Sequence, residues 1–390
     1  MARDLSTELI HHGYQPPAGF ESPQPGVFKA STVIFPNVAA ARARDWRHKT
    51  GYTYGLHGTP TTFTLEERIA ALEGGTFCSL APSGLAAIAL VDQALLSQGD
   101  EVLLPDNVYG PSREFARNEL ARWGITHRLY DPMDVASLQA ALGPRTRLVW
   151  VEAPGSVTME FPDITGLVAA CKAAGVATAL DNTWGAGVAL HGFDCGFDIV
   201  MQALTKYPSG GGDVLMGSVV TRDEALHHRI KFTHMRLGLG TAGNDAELVL
   251  RSLPSLPARY AAQDATARAL AGWMAARPEV ARVLHPALEG SPGHAHWRAH
   301  CTGAAGLFSV LFDERLASAR VDAFIDALRL FRIGWSWAGP VSLAVPYKPE
   351  SLRSAPPAAH LRGHLVRFSA GLESAADLQA DLAQALAVLA

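Results

Sequence analysis

Between residues 60 and 250 the chain alternates helical and strand patterns, and this alternation most constrains its fold. Thr64–Ala71 has helical spacing and stops at Gly74–Gly75. Gly84–Leu96 reads as a second helix, closed near Gly99, and Ser112–Trp123 as an amphipathic one ending at Gly124. Ile164–Ala174 ends at Gly175. Between them lie short apolar runs at Glu101–Leu104, Arg147–Val151, Val176–Leu180, Ile199–Gln202 and Met216–Thr221. Strands separated by helices of this length predict a largely parallel sheet with helices on both faces. After Pro254 and Pro257 the pattern changes. A long helix over Ala258–Ala275 is followed by strands at Gly306–Phe312 and His364–Ser369, mixed with helices at 319–330 and 375–389. The expectation is an α/β chain in three parts: an N-terminal arm over 1–58, a large domain over 59–250 and a smaller α+β domain over 251–390.

Length and charge narrow the class. A chain of 390 residues with 48% apolar content has ample core for two domains. The net charge of −4 points to neither a nucleic acid nor an anionic membrane. The expected partner is a small molecule. Cys78, Cys171, Cys195 and Cys301 are far apart and form no C-x-x-C pair, so they are read as reduced packing residues. His294, His296, His300 and Cys301 cluster without carboxylates, and no metal is assigned to them. His11–His12 and His227–His228 are read as solvated. The start of the chain lacks the apolar core of a secretory signal, and no run approaches the ~18 apolar residues of a spanning helix. The expected address is the cytoplasm.

Ligands of open parallel sheets bind beyond the carboxyl ends of the strands. There the sequence delivers Asp181, then Thr205 and Lys206; Tyr109; Glu152 with Pro154–Ser156; and Ser83 ahead of the helix that begins at Gly84. Alone, each has an ordinary explanation: a turn, a cap, a solvated amine. Together they suit pyridoxal-phosphate (PLP) chemistry. A lysine amine forms an imine that a substrate amine displaces, and when freed it moves protons. A carboxylate such as Asp181 keeps a pyridine nitrogen protonated, so that the ring draws electrons. The backbone N–H groups of Gly84 and Leu85 suit a phosphate. Ser83 and Thr205 add hydroxyls, and Tyr109 can stack on a ring.

The segments Asp181-Asn-Thr-Trp184 and Gln202-Ala-Leu-Thr-Lys206-Tyr207 resemble the cofactor region of the Cys/Met-metabolism PLP enzymes. So do Tyr54-Gly55, Gly58-Thr59-Pro60-Thr61, Leu72-Glu73-Gly74-Gly75, Pro82-Ser83-Gly84, Val366-Arg367-Phe368 and Gly371-Leu372-Glu373. The resemblance runs from about Tyr52 to Glu373. It implies the aspartate-aminotransferase-like PLP fold (fold type I), with Lys206 as the Schiff-base lysine, Asp181 as the pyridine-nitrogen partner and Tyr109 as the stacking ring. Gly84, Leu85 and Thr205 match phosphate-loop positions. Tyr54 matches a tyrosine that reaches the phosphate, and the substrate, of a neighbouring subunit. Arg367 matches the arginine for the substrate α-carboxylate, a job suited to its planar fork. Ser336 and Trp337 match the substrate end of the pocket.

Within the family, Glu152–Glu160, Asp181–Gly187, His285–Gly290 with Gly293-His294, and Trp335-Ser336-Trp337 look most like the bacterial β-lyase branch. That implies cleavage of the amino-acid thioether L-cystathionine to homocysteine, pyruvate and ammonia in methionine biosynthesis. It also implies a homotetramer with active sites shared across a dimer interface. A γ-acting relative and a non-catalytic PLP-binding protein are the alternatives. The chain departs from the family at Leu56, where many members carry Arg, and at Ala203, where many carry Ser. It departs also at Pro208–Gly212 and Ala338–Val341.

Overall fold

The computed structural model describes residues 4–14, 16–353 and 359–389. Residues 1–3 and 15 of the expected arm, and 354–358 and 390 of the expected C-terminal domain, lie outside them.

The large sheet has seven strands: β1 (Phe77–Ala81), β2 (Glu101–Pro105), β3 (Thr126–Tyr130), β4 (Thr146–Glu152), β5 (Ala177–Asp181), β6 (Ile199–Gln202) and β7 (Gly217–Thr221). Their order is β1-β7-β6-β5-β4-β2-β3. Five neighbours, β6 to β3, pair in parallel, whereas β7 runs antiparallel to both β1 and β6. The strands read as continuous apolar runs because both faces are covered. Along β4, Leu148 and Trp150 pack with Ile88 and Val91 of the helix Gly84–Leu95, while Val149 and Val151 join the opposite core with Leu65 and Ile69 of the helix Pro60–Glu73.

The second sheet comprises β8 (Val280–Leu284), β9 (Leu307–Phe312), β10 (Arg332–Ile333), β11 (Leu343–Tyr347) and β12 (His364–Ser369), in the order β10-β11-β12-β9-β8. Its core includes Phe308, Phe324, Phe331 and Phe368, with Leu270 and Met274 of the 20-residue helix Leu256–Ala275 and Leu378 and Leu382 of the helix Ala375–Leu386.

Sequence signals account for several boundaries. Thr59 caps the Pro60 helix with Thr62 in a reciprocal capping box, Pro60 occupies the first turn, and Gly74 ends it at φ +72°. The expected helix 112–123 begins at Gly110 and widens to a π turn over Ala116–Leu120. Several elements of this part lack a sequence expectation: β1, β3, and the helices Val135–Ala141, Gly243–Ser252 and Glu224–Leu237. The latter corrects one reading. His227 is not solvated but 5% exposed, because it lies on the helix face that packs on β1, with its ring 4.9 Å from Phe77 and nearly coplanar. The four cysteines are free. Among the described residues no helix is long and apolar enough to cross a membrane.

Candidate active site

Parallel β4, β5 and β6 bring three chain segments to one edge. Asp181 is the last residue of β5 and pairs directly with Glu152, the last of β4. β6 ends at Gln202, and the turn that follows carries Lys206. Thr183 joins the two segments. Its N–H and hydroxyl donate to Asp181 Oδ1 at 3.0 and 2.5 Å, and its oxygen accepts from the Ala203 N–H at 2.9 Å. Both bonds to Asp181 fall on Oδ1, which leaves Oδ2 for a protonated ring nitrogen. Burial raises the Asp181 carboxyl above its ordinary value, against the pull of Thr183 and of the Lys206 charge.

The Lys206 amine donates to Ser336 Oγ at 2.9 Å and lies 5.7 Å from the Trp337 ring. Its pKa falls from 10.5 to about 8, first through burial and second through the Arg367 charge, with Asp181 pulling the other way. An amine so placed gives up its proton far more readily than a solvated lysine, as a nucleophile and base requires. Arg367 comes from β12 of the second sheet and is 7% exposed. It donates to the Ser336 carbonyl at 3.0 Å and lies 5.5 Å from the Tyr347 ring. Its Nε is buried without a hydrogen-bond partner, as fits a guanidinium that awaits an anion. Ser336 therefore touches both cations. It does so at φ +90°, and Ala338 nearby at +65°, a backbone region that L-residues enter at a cost of about 1–3 kcal/mol each.

Tyr109 is 42% exposed, and its N–H donates to Glu152 Oε1 at 2.7 Å. Burial, then Asp181 and Glu152, push its phenol pKa up, so it stays neutral. Ser83 caps the Gly84 helix by accepting from the Ala86 N–H at 3.0 Å, which leaves its hydroxyl proton to donate. The first N–H groups of that helix, at Gly84 and Leu85, have no partner within it. Gly84 is packed closely: a Cβ there would lie 2.7 Å from the Ala203 Cβ. Thr205 also has a local partner. Its hydroxyl donates to the Met216 carbonyl (3.2 Å) and accepts from the Met216 N–H (3.1 Å), so it braces the Lys206 turn.

Amine, carboxylate, helix start and exposed ring thus form a donor set that fits pyridoxal phosphate. The tight Gly84–Ala203 approach brings the phosphate-type cradle against the lysine turn. Tyr54 stands apart. It bridges to Thr32, with its ring 5.8 Å from His57. Leu56 lines a small cavity with His57, Lys231 and His234.

Two supporting groups had no role in the sequence reading. One is Glu152, whose carboxyl burial drives well above the ordinary range. The other is Glu73, fully buried under the strand ends, which accepts from Asn182 Nδ2 at 2.8 Å and Gln202 Nε2 at 2.6 Å. Burial raises it to about 8.

The sequence model described as Cys/Met metabolism PLP-dependent enzyme matches residues 6–387. A putative cystathionine beta-lyase of Rhizobium johnstonii is 38% identical over 98% of this chain and 96% of its own. A cystathionine beta-lyase of Bordetella avium is 39% identical over 99% and 98%. The crystal structure of cystathionine gamma synthase from Xanthomonas oryzae pv. oryzae superposes with a TM-score of 0.90 at 30% identity, over 100% of this chain and 99% of that one.

Proposed function

Since the chain belongs to the Cys/Met metabolism PLP-dependent enzyme family, we propose that it is a carbon–sulfur β-lyase that cleaves L-cystathionine to homocysteine, pyruvate and ammonia. One observation carries the reading from the chain itself. A lysine amine with its pKa lowered to about 8 shares one serine with a buried arginine and lies within electrostatic reach of the strand-end carboxyl Asp181.

When bound, the cofactor supplies a covalent anchor for the substrate amine and a ring that takes up electrons from the α-carbon. Lys206 Nζ would hold it, and the same amine would take the α-proton of the substrate. Asp181 keeps a proton on the ring nitrogen. Tyr109 stacks on the ring, held in place through its backbone bond to Glu152. The N–H groups of Gly84 and Leu85, with the Ser83 and Thr205 hydroxyls, would bind the phosphate, and Thr205 also positions the lysine turn. Arg367 binds the substrate α-carboxylate and so orients the α-hydrogen toward Lys206. Ser336 passes between the two cations, and Trp337, 5.5 Å from Tyr207, walls the substrate end. Overall the Cβ–S bond of L-cystathionine would break, the proton held by Lys206 would pass to the departing homocysteine sulfur, and one water would balance the release of pyruvate and ammonia.

The resemblance that gives Tyr54 a role in a neighbouring subunit's site goes with a homotetramer built from dimers, with active sites shared across the dimer interface, and a cytoplasmic setting fits this metabolism. A division near residue 250 is supported by the step from the first sheet, whose last strand ends at Thr221, to the second, whose first strand begins at Val280. A γ-acting reading is favoured by the likeness to a cystathionine gamma synthase. The test is the oxo-acid formed from L-cystathionine by the cofactor-loaded protein. Pyruvate with homocysteine is expected, and 2-oxobutyrate with cysteine would reassign the chain to the γ-acting branch.

A further inference from the structure

We propose that His48, Glu224 and His228 form a binding site for a borderline divalent transition ion, zinc foremost, on the face where the N-terminal arm meets the helix Glu224–Leu237. Glu224 and His228 are four residues apart on that helix and so lie on one face, one turn from each other. His48 reaches them from the arm, its ring 5.3 Å from that of His228 and nearly perpendicular. One ligand atom from each of the three lies within 4.8 Å of the other two. In a tetrahedral site with bonds of about 2.0–2.1 Å the ligand atoms are roughly 3.3 Å apart. Small side-chain rotations close that gap. Two imidazoles and a carboxylate are a zinc-type set, with water left to fill the fourth position.

The surroundings prepare this geometry. The Asp45 carboxylate accepts from His48 Nδ1 at 2.7 Å. That bond places the ring proton on Nδ1 and leaves Nε2 to coordinate, the arrangement in which a carboxylate orients a metal-binding histidine. The His228 ring stacks on Phe232 at 5.9 Å and 12°. Phe232 in turn takes the edge of Trp46 at 5.3 Å, so residues 45–48 are seated on the same helix as the other two ligands. Asp45 and Glu224 carry two negative charges, which balance a divalent ion between neutral imidazoles. Lys49, next to His48 in the chain, is matched by Glu66 at 2.5 Å. The bound ion would fasten the arm to the large domain shortly before Tyr52–Gly58.

The site lies outside the lyase machinery, so its test reads metal binding and leaves turnover aside. Full-length, cofactor-loaded protein stripped with a chelator is titrated with Zn²⁺ by calorimetry, beside His228→Ala and the double variant His48→Ala/His228→Ala. All three positions are at least partly exposed, and the variants are expected to fold. The expected result is saturable uptake of one Zn²⁺ per chain by the parent, weakened at least tenfold in His228→Ala and absent from the double variant. A zinc-dependent rise in Tm should follow the same order. Crystals of the zinc-loaded protein should show an anomalous peak among the three side chains. No saturable uptake by the parent, or uptake by the double variant equal to the parent's, overturns the proposal.

Discussion

Glu152 and Asp181 face each other as the last residues of two paired parallel strands, and burial lifts both carboxyls above their ordinary values. They nonetheless have different partners. Asp181 is bound by Thr183 and feels Lys206, whereas Glu152 is bound by the Tyr109 N–H. Two like groups this close resist ionising together. The pair therefore favours one negative charge, on the member nearer the lysine.

Lys206→Ala is expected to remove the visible absorbance of the bound cofactor and to lower turnover by a factor of about 1,000 or more, as for loss of a positioned proton-transfer group. Absorbance spectra and steady-state assays check both. Full turnover by this variant would sink the site assignment.

Arg367→Ala should act mainly on substrate capture. A hydrogen bond to a charged group contributes about 1.5–3 kcal/mol, so loss of the fork should cut kcat/KM by roughly 100-fold with the cofactor spectrum retained. Arg367→Lys should recover only part, since an ammonium lacks the planar two-point grip. Equal activity of the Lys variant and the parent would argue against a carboxylate bound by a fork.

Glu73 predicts a loss of stability toward alkaline pH. Its carboxyl rises from 4.5 to about 8 in the fold, so between these values the folded protein holds the extra proton. Stability from this group is full below about 4.5 and is lost as pH rises toward 8. Glu73→Gln stays neutral throughout. The Gln202 Oε1, buried without a partner, can turn to accept from the new amide. Thermal melts of the variant should fall less than the parent's between pH 6 and 9, and parallel curves would refute the claim.

His227 predicts the opposite slope. Burial drops its pKa from 6.5 to about 3, so its contribution is full above 6.5 and is lost as pH falls toward 3. His227→Phe keeps the stack on Phe77 and has nothing to protonate. Its melting temperature should be less sensitive to acid than the parent's, as calorimetry across that range would show.

Much of the architecture was legible because both faces of the large sheet are covered, which leaves apolar runs such as Arg147–Val151 and Ile199–Gln202 in plain view. β3 was not legible: it is an edge strand, its exposed positions carry Thr126 and Arg128, and no alternation marks it as buried. β1 was missed because Ser79 and the small Cys78 and Ala81 interrupt its apolar run. In the site, Asp181 and Lys206 stood out as polar groups directly beyond apolar strands. Glu152 stood there too, but nothing local linked it to the Tyr109 N–H. Glu73 joins residues 109 and 129 positions away, a contact that only the folded chain creates. Ser336 and Trp337 were visible only through family resemblance, because they lie in the irregular connection between β10 and β11.

Because β7 runs back along β6, the turn that carries Lys206 is tied to the sheet at both ends, and Thr205 clasps Met216 across it. A side chain on an open crossover would have to be gathered into place from many conformers each time it acts. Here the entropy of placing the amine is lost once, when the chain folds, and is not demanded again in each catalytic cycle.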